Sequence, residues 1–168
     1  ATGASLGSRI CVRIRRIALV VGDTAGHFYP ALAIADAYQR RTGDVEALFV
    51  GPGGVAADLA AKYGCRYQRV HGSPLARVGV AGQIAAAGRT LAGIAQARRA
   101  LARVGTRLVI GFGGYASGAV VVAARTLGLR TAIHEANVYP GLANRLLGER
   151  VITCWKPCPG SPPKRLRA

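Results

Sequence analysis

The chain has 168 residues, of which 51% are hydrophobic and 23 are glycine, so it has room for one globular domain with a sizeable core and is not disordered as a whole. Against 7 acids stand 23 lysines and arginines, a formal charge of +16, which points to an anionic partner: a phosphate-bearing ligand, an acidic membrane surface or nucleic acid. Nucleic acid ranks last of the three, because the basic residues are spread over helices and both termini, no reader motif is present, and 6% aromatic residues are few for base stacking.

Residues 1–15 read as a basic, disordered lead-in, without the features of a signal peptide. From there strands and helices alternate. Apolar runs place strands over 17–21, 46–50, 66–70, 107–110, 130–134 and 151–154, with helices over 30–41, 55–63, 81–104, 117–127 and 141–147 between them. Gly43, Gly64, Gly105 and Gly128 each fall just past a helix, where a left-handed cap is wanted. The expected fold class is α/β, a Rossmann-like parallel sheet with helices on both faces. Residues 156–168 break the rhythm and read as a proline-rich basic tail, which leaves a domain over 16–155. No apolar run is long enough to cross a bilayer.

Three turns at strand ends carry the candidate chemistry. The first is Gly22-Asp23-Thr24-Ala25-Gly26-His27, between a strand and a helix that Pro30 is expected to open. Its small residues bring backbone N–H groups to a helix N-terminus, which attracts anions, and His27 at its mouth has a side chain suited to general-base work. The competing reading of His27 is a residue that caps or packs at the helix start. The second turn is Gly111-Phe112-Gly113-Gly114-Tyr115-Ala116-Ser117-Gly118, where the glycines permit close backbone approach and Ser117 is placed to cap the next helix. The third is His134-Glu135-Ala136-Asn137. Glu135 would orient a base or accept substrate hydroxyls, or else pair with an arginine, and Asn137 suits a sugar. His134 reads as a core residue.

Weaker signals complete the survey. Gly51-Pro52-Gly53-Gly54 is a poor dinucleotide turn, with its proline and no suitably placed acid. Segment 73–101 mixes Leu75, Val78, Val80, Ile84, Leu91 and Ile94 with Arg77, Arg89, Arg98 and Arg99, a pattern of either a surface helix with one face on the core or a basic amphipathic element on an anionic membrane. Cys11, Cys65, Cys154 and Cys158 lack the second pair or histidine cluster that a metal site needs, so no metal is expected and free thiols in a reducing compartment are.

Taken in order, Gly-x-Thr-x-Gly-His with Pro-Ala-Leu-Ala after it, Gly-Phe-Gly-Gly-Tyr-x-Ser-Gly, and His-Glu-x-Asn-x-x-Pro-Gly-Leu-x-Asn-Arg resemble the N-terminal domain of the MurG-like glycosyltransferases (family 28). The resemblance runs over about 16–155. It implies the N-terminal half of a GT-B fold and an inverting transfer of N-acetylglucosamine from UDP-GlcNAc to a lipid-linked sugar diphosphate (lipid I to lipid II), with no cofactor. In that setting His27 becomes the candidate base, with Glu135 supporting the site. Thr24, Ala25, Gly26 and Asn137 would approach the donor sugar, Gly113, Gly114 and Tyr115 would cradle the acceptor diphosphate, and Ser117 is counted with the substrate-binding residues. Segment 73–91 becomes the membrane-facing patch of a peripheral protein on the cytoplasmic face of the plasma membrane. Asp23 and Ala25 stand where the family has glycines, and Ala136 where it has glutamine. The donor-binding half is not in the sequence. The chain is therefore expected to be inactive alone, either as a truncated product or as the membrane-docking subunit of a split enzyme with a separate C-terminal half, or else to serve as an acceptor-binding module.

Overall fold

The computed structural model describes residues 14–71, 80–135 and 153–155. Six parallel strands form one sheet: β1 (Arg16–Val20), β2 (Glu46–Gly51), β3 (Tyr67–Arg69), β4 (Leu108–Gly111), β5 (Arg130–His134) and β6 (Thr153–Trp155). Their order is β3-β2-β1-β4-β5-β6. The helices are α1 (Ala25–Thr42), α2 (Val55–Lys62), α3 (Val80–Val104) and α4 (Tyr115–Thr126). The expected α/β Rossmann-like architecture is the observed one.

A strand covered on both faces must be apolar at every position, because successive side chains point to opposite faces. In β1 and the residue after it, Ile17, Leu19 and Val21 enter one layer with Phe28 and Ala31 of α1 and Ala56 and Ala60 of α2. Ala18 and Val20 enter the other with Ala97 and Leu101 of α3 and Val120 and Ala124 of α4. Two cores thus sit on the two faces of one sheet. Arg98 joins the helices of the second face, its guanidinium donating to the Thr126 carbonyl at 3.0 Å and to Thr126 Oγ1 at 2.7 Å.

Two helix starts differ from their expected positions. α1 begins at Ala25, and Pro30 lies inside it. The burial of Phe28 and Ala31 carries the helix through the proline. The proline's missing N–H then withdraws the donor that would have met the Gly26 carbonyl. α4 begins at Tyr115 with Gly114 as its N-cap, so Ser117 is not the cap. The helix ends behave as read: Gly43, Gly64, Gly105 and Gly128 take φ of 81°, 65°, 67° and 67°. The helix expected over 141–147, the lead-in and the tail lie outside the described residues.

Arginines pair with acids mainly at the amino edge of the sheet. Glu46 takes Arg16 at 3.2 Å and Arg66 at 2.6 Å, and Asp44 takes Arg15 at 3.2 Å. Asp36 pairs with Arg40 one turn on in α1. All are exposed and contribute little to stability.

Packing, not surface charge, therefore holds the domain. Leu101 is fully buried, and Leu91 on the same helix is 67% exposed. Leu101→Ala is expected to cost about 2–5 kcal/mol in urea unfolding, and Leu91→Ala about 0.5 kcal/mol or less. Equal losses would contradict the assignment of α3's buried face.

Candidate functional site

In a parallel sheet of this order, ligands meet the carboxyl edge where consecutive helices leave over opposite faces. Here that point lies between β1 and β4, since α1 covers one face and α4 the other. Register aligns the rim. Val20 pairs with Gly111, and Gly111 with Ile133, so the turns after β1, β4 and β5 start at one level. The three turns singled out in the sequence thus share one edge.

The first two turns touch. A Cβ built on Gly114 would lie 2.9 Å from Gly22 Cα, and one on Gly22 would lie 2.5 Å from His27 Nδ1. A Cβ on Gly113 would lie 3.0 Å from His27 Nε2. Gly22 and Gly113 therefore make the space in which the half-buried imidazole sits, and Gly114 packs on the Gly22 backbone. Gly113 and Gly114 also hold φ of 102° and 80°, a region that side chains disfavour. Each backbone position is fixed by what a side chain would strike.

His27 is oriented as well as enclosed. Thr24 Oγ1 lies 2.9 Å from His27 Nδ1, so the Thr24 side chain serves the imidazole and makes no cap bond to α1. With Nδ1 engaged, Nε2 faces the Gly113 turn. The second turn is tied from below: the buried Ser117 hydroxyl donates to the Gly113 carbonyl at 2.6 Å. Ser117 holds the glycine turn in place rather than capping the helix. Beside it, a Cβ on Gly26 would find only Thr24 Oγ1, at 3.8 Å, so this part of the first turn is open.

At the third turn Glu135 is only 4% exposed, and His134 stacks on Phe112 with ring centroids 5.3 Å apart. Burial holds the His134 imidazole below its ordinary range, while the neighbouring Glu135 charge opposes that shift. The core reading of His134 agrees with this placement. Asn137, Leu75, Arg77 and Val78 lie outside the described residues. The backbone puts Val80 and Ile84 in α3 and Tyr115 at the start of α4. Of the expected membrane patch, Arg89 and Leu91 are exposed on α3.

The sequence reading passed over a second set of rim residues. Tyr67 accepts the Gly53 N–H through its hydroxyl at 3.2 Å, and the Arg69 guanidinium lies where a Gly53 side chain would be, 2.3 Å from the built Cβ. Burial raises the Tyr67 hydroxyl's pKa, with the Asp23 charge adding to that and the Gly53 N–H and Arg69 opposing it. A charge at the end of a short strand was the available signal. Among the described residues, no group of three or more His, Cys, Asp or Glu could hold a metal ion, and Cys65 is a free thiol raised by burial.

Comparison with known proteins decides the lineage. The glycosyltransferase family 28 N-terminal domain matches residues 17–153. The chain belongs to this family. It is 41% identical over 137 residues to the UDP-N-acetylglucosamine–N-acetylmuramyl-(pentapeptide) pyrophosphoryl-undecaprenol N-acetylglucosamine transferase of Citrifermentans bemidjiense, covering 81% of this chain and 38% of that one. To the protein of the same name in Nitratidesulfovibrio vulgaris (strain Miyazaki F) it is 44% identical over 143 residues, 82% of this chain and 36% of the other. The fold superposes on Acinetobacter baumannii MurG with a TM-score of 0.73 at 26% identity, over 89% of this chain and 43% of MurG. The chain thus spans well under half the length of these relatives.

The family 28 domain's glycine contact makes a direct prediction. Gly114 and Gly128 have φ of 80° and 67°, but a Cβ on Gly128 meets nothing within 4 Å. Gly114→Ala should therefore destabilise the domain by more than Gly128→Ala, which is expected to cost about 1–2 kcal/mol for its left-handed backbone alone. Thermal unfolding of both variants checks this, and equal losses would contradict the loop contact. A pH prediction follows from His134. Its folded pKa lies below the unfolded value of about 6.5, so the neutral ring contributes stability above that pH, lost as the pH falls below it. His134→Gln should flatten the decline in stability between about pH 7 and pH 5; an unchanged slope would contradict the burial assignment.

Proposed function

We propose that this chain is the acceptor-binding half of an inverting, UDP-GlcNAc-dependent glycosyltransferase that acts on a lipid-linked sugar diphosphate. The observation that carries the reading is His27 held between Thr24 and the Gly113 turn at the switch point of a family 28 domain. The relatives' names describe transfer of N-acetylglucosamine to an N-acetylmuramyl-(pentapeptide) pyrophosphoryl-undecaprenol; the reaction proposed for the whole enzyme is accordingly the step from lipid I to lipid II.

In the tautomer where Nδ1–H donates to Thr24 Oγ1, Nε2 carries the lone pair and takes the proton of the acceptor's sugar hydroxyl. The hydroxyl oxygen bonds to the anomeric carbon of the donor as the bond to UDP breaks on the opposite side, which inverts the centre. UDP leaves as the anion and no covalent intermediate forms. Thr24, Ala25 and Gly26 approach the donor sugar. The N–H groups at the start of α4, around Gly113, Gly114 and Tyr115, face the acceptor diphosphate, since helix N-termini favour anions. Glu135 supports the site, and the role assigned to Asn137 is contact with the donor sugar. The donor's nucleotide is held chiefly by a C-terminal half, which in this reading is supplied by further sequence or by a separate chain.

The test is turnover of lipid I with labelled UDP-GlcNAc, with the chain alone and with a donor-binding half added in trans. Product is expected only with the second half, and His27→Ala should lower the rate by about 100-fold or more. Turnover that survives His27→Ala would remove the histidine from its role.

A second reading, membrane docking, draws on the charge of +16 and on exposed Arg89 and Leu91 of α3. Among the described residues no helix is long and apolar enough to cross a membrane; in this reading the chain docks peripherally, at the cytoplasmic face of the plasma membrane. Arg89→Glu is expected to reduce co-sedimentation with anionic vesicles, and rising salt should do the same. Binding indifferent to both would contradict it.

A further inference from the structure

The arginines and lysines of the described strands and turns cluster at the amino edge of the sheet, with one exception. Arg16, Arg66, Arg107 and Arg130 lie at or before strand starts, while Arg40, Arg41, Lys62, Arg103 and Arg125 close helices that return to that edge. Arg69 ends β3 at the carboxyl edge, in register with Gly51 of β2. Among the described residues it is the one arginine or lysine at a strand's carboxyl end. Its side chain is exposed and has no carboxylate within ion-pair distance among those residues.

The guanidinium is also placed. It lies across Gly53, whose missing side chain leaves room for it, and Gly53 is held by its N–H bond to Tyr67 Oη at 3.2 Å. The adjoining Gly54 abuts the first turn, a Cβ there lying 3.6 Å from Asp23 Cβ, and Gly22 on Asp23's other side packs on His27. A continuous line of contacts therefore runs along the rim from the imidazole to the guanidinium. Two strand spacings separate β1 from β3, about 10 Å, within the span of a sugar diphosphate.

We propose that Arg69 is a specificity-determining residue that binds an anionic group of the acceptor, through the planar fork that guanidinium offers to phosphate or carboxylate oxygens. The inference rests on the acceptor-binding reading above. It adds a recognition point on the β2–β3 side of the rim, away from the glycine turns. The anion is either the diphosphate or a carboxylate of the attached peptide, and both present paired oxygens.

Calorimetric titration of the full chain tests this with three probes: inorganic diphosphate, a short-chain lipid-linked sugar diphosphate, and the same lipid carrying a peptide. Arg69→Ala is expected to weaken binding at least tenfold, with Arg69→Lys recovering part of the loss and Arg103→Ala unchanged. Loss with inorganic diphosphate assigns the phosphate; loss only with the peptide-bearing probe assigns the carboxylate. Unchanged affinity for all three in Arg69→Ala, with the parent chain binding, overturns this proposal alone. A parent chain that binds none of the probes overturns the acceptor-binding reading and this one with it. Because Arg69 is exposed, its variants should keep the parent's unfolding midpoint.

Discussion

The candidate site depends on a contact between backbones. Gly114 packs too closely on the Gly22 backbone to carry a side chain, the His27 ring fills the space a Gly22 side chain would need, and the turns after β1 and β4 consequently close on each other and on His27. A parallel sheet alone would separate those turns, because their helices leave over opposite faces. Glycine at three positions turns that separation into a shared wall. Thr24 and Ser117 then fix it with side-chain bonds, one to the imidazole and one to the Gly113 carbonyl.

This arrangement divides the molecule by edge. The amino edge holds most arginine–carboxylate pairs and the ends of the returning helices, and it does structural work. Among the described residues, the carboxyl edge holds the glycine turns, the buried Glu135, the oriented His27 and a single strand-end arginine. An excess of positive charge on the chain as a whole is therefore poor evidence about the site. The placement of individual charges along the strands says more, since a cation at a strand's carboxyl end faces the ligand edge.

The architecture was legible in the sequence because doubly covered strands must be apolar in their interior, and β1 after Arg16, β2 after Glu46 and β4 are. Post-helical glycines marked helix ends for the same kind of reason: only a left-handed residue closes those turns. Helix starts were less legible. Pro30 and Ser117 are residue types favoured at first-turn or cap positions, yet tertiary burial of Phe28 and Ala116 begins both helices earlier. The three turns could be listed from the sequence, but their contact could not. Nothing local to Gly114 reveals that Gly22, far along the chain, requires its bareness. Arg69 escaped notice because a three-residue edge strand has no pattern strong enough to show which of its ends meets the ligand.

Family membership fixes the lineage, and the rim geometry supplies the physical case for acceptor binding by this half. That case is tested most directly by backbone amide NMR of the labelled chain during titration with a short-chain lipid-linked sugar diphosphate. The account predicts shift changes concentrated at Gly22–His27, Gly113–Ser117 and Glu135, with the amino edge around Glu46 and Arg66 silent. Changes confined to the amino edge, or to one of the two glycine turns without the other, would contradict it.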